Sequence, residues 1–393
     1  MTSSHVVVVG GGLAAVRAAE EIRLLDPSRR ITVIASETHP PYDRPPLSKQ
    51  VLRGEMTDTT FPTDWSTLGV DLRRGVRAAA LHPDKRTVLL DDGSTLEYDA
   101  VVLATGAQPR ALPGLAGPGV HVLRTLDDAR SLAADVRRTR RLTVLGAGFI
   151  GCEAAASARA MDADVTLVEV LPTPLARVLG TQVGAQVAAL HQEEGVALRC
   201  GSPVLEARGE GAERELLLSD GSTVDAEVVL VGLGVTPDTA WLAESGVAVD
   251  DGVVCDATGR TSVAGVWAAG DVARWWHPLY DAHVRLEHWT SAAAQGAAVG
   301  QDVAGQGTPL DEVPYFWSDQ YRSKLQMLGR PDADDDVTLL QVGPHADKLL
   351  AVYGREGRVT GVFGMSAARW VMRMRPLLAE QASYDEALAL AKS

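Results

Sequence analysis

The stretch VVVVGGGLAA, residues 6–15, decides the fold of the N-terminal part of the chain. Its four valines favour a buried parallel strand, and the three glycines after them favour a tight turn over a helix interior. Gly10, Gly12 and Ala15 fill the small positions of the motif G-x-G-x-x-G/A, which holds a pyrophosphate at the N-terminus of the following helix. The stretch predicts a dinucleotide-binding fold. Taken alone, it also fits a glycine turn that holds no ligand.

An acidic residue and a proline-rich loop follow the second predicted strand, residues 31–35. Glu37 lies 22 residues after Ala15 (37 − 15), about the spacing expected of an acid that binds a ribose hydroxyl. The loop HPPYDRPPLSK then excludes helix and central strand by its four prolines. We expect Arg44 to contact the phosphate or adenine of the ligand and Lys49 to reach its reactive ring. The alternative is a solvated loop with two surface cations.

The same arrangement occurs a second time from Arg141, in RLTVLGAGFIGCEAAASARAMDADVTLVEV. The small positions of the motif are filled by Gly146, Gly148 and Gly151. The acid at the end of the next predicted strand is Glu169, 18 residues after Gly151 (169 − 151). The closing segments match as well: DGSTLEYDAVVLATG (92–106) and DGSTVDAEVVLVGLG (220–234). This internal duplication predicts two dinucleotide sites in one chain.

Small residues at two further strand ends favour close approach of a ligand to the backbone. The first closing segment ends in Ala104, Thr105 and Gly106, and the segment TSVAGVWAAGDVA contains Gly270 and Asp271. The carboxylate of Asp271 is placed to accept hydrogen bonds from a polyol chain. Capping of the next helix is the alternative for this residue.

Composition limits the class of protein and its partners. A chain of 393 residues is expected to form two or three domains, and its net charge of −14 argues against nucleic acid and anionic membrane surfaces as partners. Cys152, Cys200 and Cys255 are too far apart in sequence for a local redox pair or a cysteine-based metal site, so no metal is expected. No apolar run approaches the roughly 18 residues of a membrane span, and the first residues do not resemble a signal peptide. We therefore expect a cytoplasmic protein.

The motifs VVVVGGGLAA, PYDRPPLSK, ATGAQPR, VLGAGFIGCE, AAGDVA, RLEHW and FWSDQY together resemble those of the NADH-dependent ferredoxin or rubredoxin reductases. The resemblance extends, in order, over the whole chain. It implies an α/β, glutathione-reductase-like fold with two Rossmann-like domains, for FAD and NAD, and a small α+β C-terminal domain. The implied limits are 1–110 and 238–313 for the two parts of the FAD-binding domain, 111–237 for the NAD-binding domain and 314–393 for the C-terminal interface domain.

The resemblance also assigns the predicted sites. By similarity, the residues expected to bind FAD are Gly10, Gly12, Glu37, Arg44, Lys49 and Asp271. The further residues expected to bind a cofactor are Ala15, Ala104, Thr105, Gly106, Gly270 and Trp317. NADH is expected at Gly146, Gly148, Gly151 and Glu169, where a carboxylate favours NADH over NADPH because it repels a 2′-phosphate.

Three groups of residues are expected to act in catalysis and electron exit. By family similarity Lys49 and Glu153 meet near the reactive flavin nitrogen, where the cation offsets charge on the reduced flavin. By family position Trp317 lies near the flavin edge, and a core tryptophan is the alternative. A basic patch for an acidic carrier is expected at Arg322, Arg369, Arg373 and Arg375, with a solvated helix face as the alternative.

The implied activity is that of a flavoprotein oxidoreductase. It takes a hydride from NADH and passes single electrons to a ferredoxin-type iron-sulfur protein that serves an oxygenase such as a cytochrome P450 or a Rieske enzyme. Residues 47–52 contain no cysteine pair, so electrons are expected to leave through the flavin edge. Two alternatives remain open, an NADH oxidase or small-acceptor reductase and a flavin redox sensor without turnover. Monomer and homodimer both remain open.

Overall fold

The structure is a computed structural model that describes residues 4–345 and 347–393. The helices are α1 Leu13–Leu25, α2 Leu126–Thr139, α3 Phe149–Arg159, α4 Ala176–Glu193, α5 Trp289–Val303, α6 Ala368–Arg373, α7 Arg375–Ala379 and α8 Tyr384–Lys392. The strands up to the second repeat are β1 His5–Val9, β2 Arg30–Ala35, β3 Asp71–Arg74, β4 Ala78–His82, β5 Thr87–Leu90, β6 Thr95–Glu97, β7 Ala100–Leu103, β8 Ala107–Pro109 and β9 Val120–His121. From there they continue as β10 Arg141–Leu145, β11 Asp164–Glu169, β12 Ala197–Cys200, β13 Val204–Arg208, β14 Glu215–Leu218, β15 Thr223–Asp225, β16 Val229–Val231, β17 Val235–Pro237, β18 Val253–Cys255, β19 Val266–Ala268, β20 Ala273–His277, β21 Ala282–Val284, β22 Tyr315–Gln320, β23 Ser323–Gly329, β24 Asp336–Val342, β25 Lys348–Arg355 and β26 Arg358–Met365.

The chain forms two compact units. The first contains the described residues up to Asp43 together with Thr59–Gln108 and Thr236–Glu312, and the second contains Arg44–Asp58, Pro109–Val235 and Val313–Ser393. The predicted α/β class with two Rossmann-like domains and a small C-terminal domain is confirmed. The residue limits of the individual domains stay a prediction.

A parallel sheet in the order β19-β7-β1-β2-β3 forms the core of the first unit. The valines of β1 are almost completely buried, as expected for a central strand with both faces covered. Helix α1 packs closely on α5, since a Cβ added at Gly296 would lie 2.3 Å from the carbonyl oxygen of Ala14. Gly296 of helix α5 therefore permits this close helix packing.

The second unit repeats this architecture with the order β9-β16-β10-β11-β12, all parallel. The matching closing segments form the same antiparallel turn: Leu90 N–H donates to Ser94 O in the first, and Leu218 N–H donates to Ser222 O in the second. The edge strands β19 and β9 occupy corresponding positions in the two sheets but come from different parts of the chain. β19 follows both repeats along the chain, whereas β9 precedes the second glycine motif.

The C-terminal part is an antiparallel sheet in the order β22-β23-β26-β25-β24, followed by α6, α7 and α8. Within the second unit its core side chains pack against α4, the helix that follows β11. None of the helices in the described part of the chain has the length and hydropathy to cross a bilayer.

Candidate functional site

The first glycine turn has one crowded side and one open side. Gly10 has a φ of 138°, and an added Cβ would lie only 2.0 Å from the carbonyl oxygen of Ala104, so the turn contacts the end of β7 directly. A Cβ at Gly12, by contrast, would meet no atom within 4 Å. Helix α1 begins at Leu13, and no side chain caps its N-terminus. Open space before uncapped amides fits a pyrophosphate, so these residues can hold a dinucleotide.

The predicted polar residues of the first unit follow its strands. Glu37 comes two residues after β2 and accepts a 2.5 Å hydrogen bond from the hydroxyl of Tyr42. The hydroxyl of Thr105 donates to the carbonyl of Asp238 at 2.9 Å. The N–H of Gly270, where φ is 79°, donates to Oε1 of Gln295 at 2.9 Å.

Asp271 lies in the segment between β19 and β20 and does not cap the next α-helix. The next α-helix is α5, and its N-cap is His288. The capping alternative for Asp271 is therefore wrong. Burial lowers the pKa of His288 to about 4, and the charge of Asp271 opposes that shift. The role of Asp271 toward a polyol chain stays a prediction.

The second glycine turn repeats the geometry of the first. A Cβ at Gly146 would lie 2.4 Å from the carbonyl oxygen of Gly232, and one at Gly151 would lie 2.1 Å from that of Gly146. A Cβ at Gly148 would meet no atom within 4 Å, and no side chain caps α3 after it. The crowded glycines bring strand, turn and helix together, and the open one leaves room for phosphates.

Glu169 is tied to the second glycine turn. The N–H of Ala147 donates to its Oε2 at 2.6 Å, and the N–H of Leu171 donates to its Oε1 at 2.9 Å. A carboxylate has about four lone-pair positions, so both oxygens keep capacity for a ribose hydroxyl. The spacing of the sequence predicts only the ribose role. The structure adds that Glu169 also holds the turn and the end of β11 together.

Exposed apolar residues at the second turn were not identified from the sequence. Ile150, Val170 and Leu233 are 48%, 53% and 38% exposed. Ile150 precedes Gly151, Val170 follows the end of β11, and Leu233 lies two residues after the end of β16. The side chain of Leu233 lies 3.5 Å from a Cβ added at Gly146. Ligand pockets are lined mainly by such apolar groups. These residues could have been predicted from the sequence, because each is a large apolar residue next to a glycine or an acid of the second repeat.

The structure brings Lys49 and Glu153 together within the second unit. Lys49 lies in a π-helical turn, Leu47–Val51, and its Nζ is 2.6 Å from Oε2 of Glu153 on α3. Both side chains are buried. The hydroxyl of Ser48 donates to the same carboxylate oxygen at 2.5 Å, and that of Ser318 donates to the other at 2.6 Å. A buried ion pair with further donors is stable only while both charges are present.

Trp317 lies on β22 and is half-buried, so it is not a core side chain. It stacks on Tyr315 with ring centroids 6.1 Å apart and an interplanar angle of 20°. Arg44 donates to the carbonyl of Arg124 at 2.5 Å. The contacts of Trp317 and Arg44 with a ligand stay predictions.

The four predicted docking arginines differ in exposure. Arg322 and Arg369 are exposed. Arg373 donates to the hydroxyl of Ser393 at 2.9 Å, Arg375 donates to the carbonyl of Val313 at 3.3 Å, and both are half-buried. A docking patch formed by these arginines stays a prediction.

The cysteines are all thiols. Burial raises the pKa of Cys152 and Cys255 far above the usual range, and raises that of Cys200 to about 11. Thiols with such pKa values stay protonated at neutral pH and are poor nucleophiles. They do not supply disulfide chemistry.

Comparison with known proteins gives matches over nearly the whole chain. The family model described as pyridine nucleotide-disulphide oxidoreductase matches residues 4–296, and a reductase C-terminal model matches residues 315–393. The ferredoxin–NAD(+) reductase component of the anthranilate 1,2-dioxygenase system of Burkholderia cepacia is 37% identical over 98% of this chain and 96% of its own. Putidaredoxin reductase of Pseudomonas putida is 34% identical over 85% of this chain and 82% of its own. The crystal structure of a covalent putidaredoxin reductase–putidaredoxin complex superposes with a TM-score of 0.92 at 30% identity, over 99% of each chain.

Proposed function

This chain belongs to the pyridine nucleotide-disulphide oxidoreductase family, and from that premise we propose that it is an FAD-dependent NADH:ferredoxin reductase. It takes a hydride from NADH and delivers single electrons to an iron-sulfur carrier that serves an oxygenase such as a cytochrome P450 or a Rieske enzyme. One observation carries the proposal. A single chain holds two glycine turns of the same geometry, each open at its second glycine and each followed by an uncapped helix.

Each unit supplies one of these glycine turns, which together with the N-terminus of the following helix we call a phosphate cradle. In the first, Gly10, Gly12 and Ala15 would hold the pyrophosphate of FAD, with Glu37 and Asp271 for its hydroxyl groups. In the second, the cradle for NADH would be Gly146, Gly148, Gly151 and Glu169. Bound FAD supplies a group that accepts electrons in pairs and releases them one at a time. The protein supplies position and charge.

The Lys49–Glu153 pair is the proposed source of charge in catalysis. The ammonium of Lys49 would offset negative charge that develops on the flavin, and Glu153 would hold that ammonium in place. The 2.6 Å separation and the burial of both side chains support this assignment, since a buried lysine needs a counter-charge to remain charged. The hydroxyls of Ser48 and Ser318 donate further hydrogen bonds to the Glu153 carboxylate.

Glu169 is the proposed determinant of preference for NADH. Its carboxylate is fixed by the amides of Ala147 and Leu171, so it cannot swing away from an incoming 2′-phosphate. Two like charges about 4 Å apart repel by about 1–4 kcal/mol for effective dielectric constants of 80 to 20. Equal catalytic efficiency with NADH and NADPH would contradict this role.

The carrier is proposed to dock on the C-terminal part of the chain. Trp317 would lie near the exit for electrons, and the exposed Arg322 and Arg369 would attract an acidic ferredoxin. Turnover with ferredoxin should then fall with rising salt, while reduction of ferricyanide should change little. We place the protein in the cytoplasm, where its three thiols stay reduced.

An anaerobic titration with NADH, followed by mixing with candidate ferredoxins, tests the proposed function. We expect bleaching of the flavin absorbance by NADH and then reoxidation by a ferredoxin faster than by oxygen. Faster reoxidation by oxygen would favour an NADH oxidase instead. Absence of steady NADH turnover would favour a redox sensor. A purified protein unable to bind FAD would refute all three functions.

A further inference from the structure

A chain of buried hydrogen bonds leads away from Glu153 within the second unit. The hydroxyl of Ser318 lies 2.6 Å from Oε1 of Glu153, and Nε2 of Gln320 lies 3.1 Å from that hydroxyl. Oε1 of Gln320 lies 3.1 Å from Nε2 of His191, and Nδ1 of His191 lies 2.8 Å from the hydroxyl of Tyr321. The chain thus connects the partner of Lys49 to a half-buried tyrosine.

Local structure explains why these side chains meet. Successive residues of a strand point to opposite faces, so Ser318 and Gln320 of β22 share one face and Trp317 lies on the other. His191 comes from the last turn of α4. Glu153, Ser318, Gln320 and His191 are each at most 3% exposed, so their polar atoms depend on one another rather than on solvent.

The charge of Glu153 fixes the direction of every hydrogen bond in the chain. An ionised carboxylate only accepts, so the hydroxyl of Ser318 donates to it and must itself accept from the amide N–H of Gln320. Oε1 of Gln320 then faces His191, whose proton must lie on Nε2. The free Nδ1 accepts from the hydroxyl of Tyr321.

The protonation states of the outer groups agree with this direction. Burial lowers the pKa of His191 to about 4, with the hydrogen bond to Gln320 as the opposing influence, so the ring is neutral at pH 7. Burial raises the pKa of the Tyr321 hydroxyl well above its usual range, so the phenol keeps its proton. A neutral ring has one donor and one acceptor nitrogen, as the chain requires.

We propose that Ser318, Gln320 and His191 are positioning residues that orient the carboxylate of Glu153 toward Lys49, and that their hydrogen bonds reverse direction when a neutral glutamine replaces Glu153. A glutamine at position 153 would turn its carbonyl to Lys49, because an ammonium only donates, and would offer its N–H to Ser318. The hydroxyl proton of Ser318 would then lack its carboxylate acceptor, and donating it to Gln320 would keep it hydrogen-bonded in this buried site. The amide of Gln320 would flip to accept it, and the proton of His191 would move to Nδ1. The catalytic consequence rests on the proposed function; the reversal rests on geometry alone.

Nitrogen NMR of the ¹⁵N-histidine-labelled, flavin-loaded protein tests the reversal, since the two imidazole tautomers have different nitrogen shifts. The signal of His191 is assigned by its loss in His191→Gln. We expect the Nε2–H tautomer in the wild type and the Nδ1–H tautomer in Glu153→Gln. The Nδ1–H tautomer in the wild type would overturn the proposal, even if Glu153→Gln fails to fold. The Nε2–H tautomer in both the wild type and Glu153→Gln would also overturn it.

Two further variants locate the coupling. Ser318→Ala removes the link between Glu153 and Gln320, so adding Glu153→Gln to it should leave the tautomer of His191 as it is in Ser318→Ala alone. Tyr321→Phe removes only the outermost donor, and His191 should keep its proton on Nε2. A tautomer change in the double variant would show that the coupling does not pass through Ser318, and the chain would be refuted.

The positioning role is tested by flavin reduction in a stopped-flow experiment with NADH. We expect Ser318→Ala and His191→Leu each to slow flavin reduction about tenfold. Ser318→Ala removes a hydrogen bond to the Glu153 carboxylate, and His191→Leu removes the donor that orients Gln320 toward Ser318. His191→Gln keeps an N–H near the position of Nε2 and should recover most of the rate. Equal rates in His191→Leu and His191→Gln would refute the role. The tautomer measurement needs neither NADH nor ferredoxin, so its failure and a failure of the proposed function remain distinguishable.

Discussion

Replacing Lys49 by methionine removes the positive charge from the buried pair and keeps a side chain of similar length. Glu153 then remains as a buried anion that accepts hydrogen bonds from Ser48 and Ser318 only. Removing one partner of a buried ion pair costs about 3–5 kcal/mol, because the other charge stays out of water without compensation. The two hydroxyl donors soften this penalty, so we expect Lys49→Met to lower the free energy of unfolding by about 3 kcal/mol.

The same substitution at an exposed pair of the same unit is the matched control. Nζ of Lys324 lies 3.7 Å from Asp319, and the two side chains are 51% and 45% exposed. Exposed pairs contribute about 0–1 kcal/mol, so Lys324→Met should lower the free energy of unfolding by less than about 1 kcal/mol. Urea denaturation measures both variants at one free FAD concentration c, together with the FAD dissociation constant Kd of each. Bound FAD adds RT ln(1 + c/Kd) to the free energy of unfolding, so subtracting this contribution separates weaker flavin binding from lost stability.

The double variant Lys49→Met/Glu153→Gln separates stability from catalysis. It removes the uncompensated charge and should recover most of the lost stability, since neutral groups are cheaper to bury than an unpaired ion. It should not recover the rate of flavin reduction by NADH. We expect this rate to fall about 100-fold in both Lys49 variants, because both lack the positive charge near the flavin. Lys49→Met with the stability and stopped-flow rate of Lys324→Met would refute the assignment.

Four further predictions concern the cradles and the buried histidine. In Glu169→Gln the ratio of kcat/KM for NADPH to that for NADH should rise about tenfold, because a neutral amide no longer repels a 2′-phosphate; an unchanged ratio in steady-state kinetics would contradict the role of the charge. Gly12→Ala has space for its Cβ and should fold with an unchanged melting temperature of the apoprotein but bind FAD at least about tenfold more weakly in a fluorescence titration. In Gly10→Ala the Cβ would lie 2.0 Å from a carbonyl oxygen, so folding itself should fail, and tight FAD binding by either glycine variant would count against the cradle. Because the pKa of His191 is about 4 in the folded chain and near 6.5 when unfolded, the unfolded state binds more protons as pH falls between these values. Stability should therefore decrease over this range in the wild type and less steeply in His191→Gln, as measured by urea denaturation at several pH values.

The glycine turns could be predicted because all their determinants are local. A strand, a crowded glycine, an open glycine and a helix occupy about ten residues, and the acid at the next strand end follows at a fixed spacing. The duplication gave a second, independent indication of the same architecture. The resemblance over the whole chain pointed to the family, which the comparisons confirm.

The contacts that join distant residues could not be derived from local pattern. Glu153 and Ser318 are 165 positions apart, and His191 and Gln320 are 129 apart. The alternation in FWSDQY indicates that Ser318 and Gln320 share a face, but not that this face is buried or that His191 lies opposite. The amide bonds that fix Glu169 were missed for another reason. They depend on where the glycine turn and the strand end meet in space.

The duplicated cradles do not by themselves distinguish two cofactors, so selectivity must arise beyond the strands. Glu37 lies two residues after its strand and accepts from the hydroxyl of Tyr42, whereas Glu169 ends its strand and accepts two backbone amides. A side chain fixed by backbone amides keeps one position, which suits the proposed binding of a ribose that exchanges in each turnover. This difference fits a resident cofactor in the first unit and an exchanging one in the second.

The buried polar cluster of the second unit is not explained by stability. Replacing a buried ion pair with well-packed apolar residues is often neutral or stabilising by about 1–4 kcal/mol, so the fold alone does not require Lys49, Glu153 and their partners. The three polar groups between Glu153 and Tyr321 are a hydroxyl, an amide and an imidazole. Each also carries a desolvation cost that only a complete set of hydrogen bonds offsets. A charge that must be presented to a reacting group, together with the contacts that orient it, accounts for both costs. This makes the Lys49–Glu153 pair the point at which the two proposals, reductase activity and directed hydrogen bonding, depend on the same atoms.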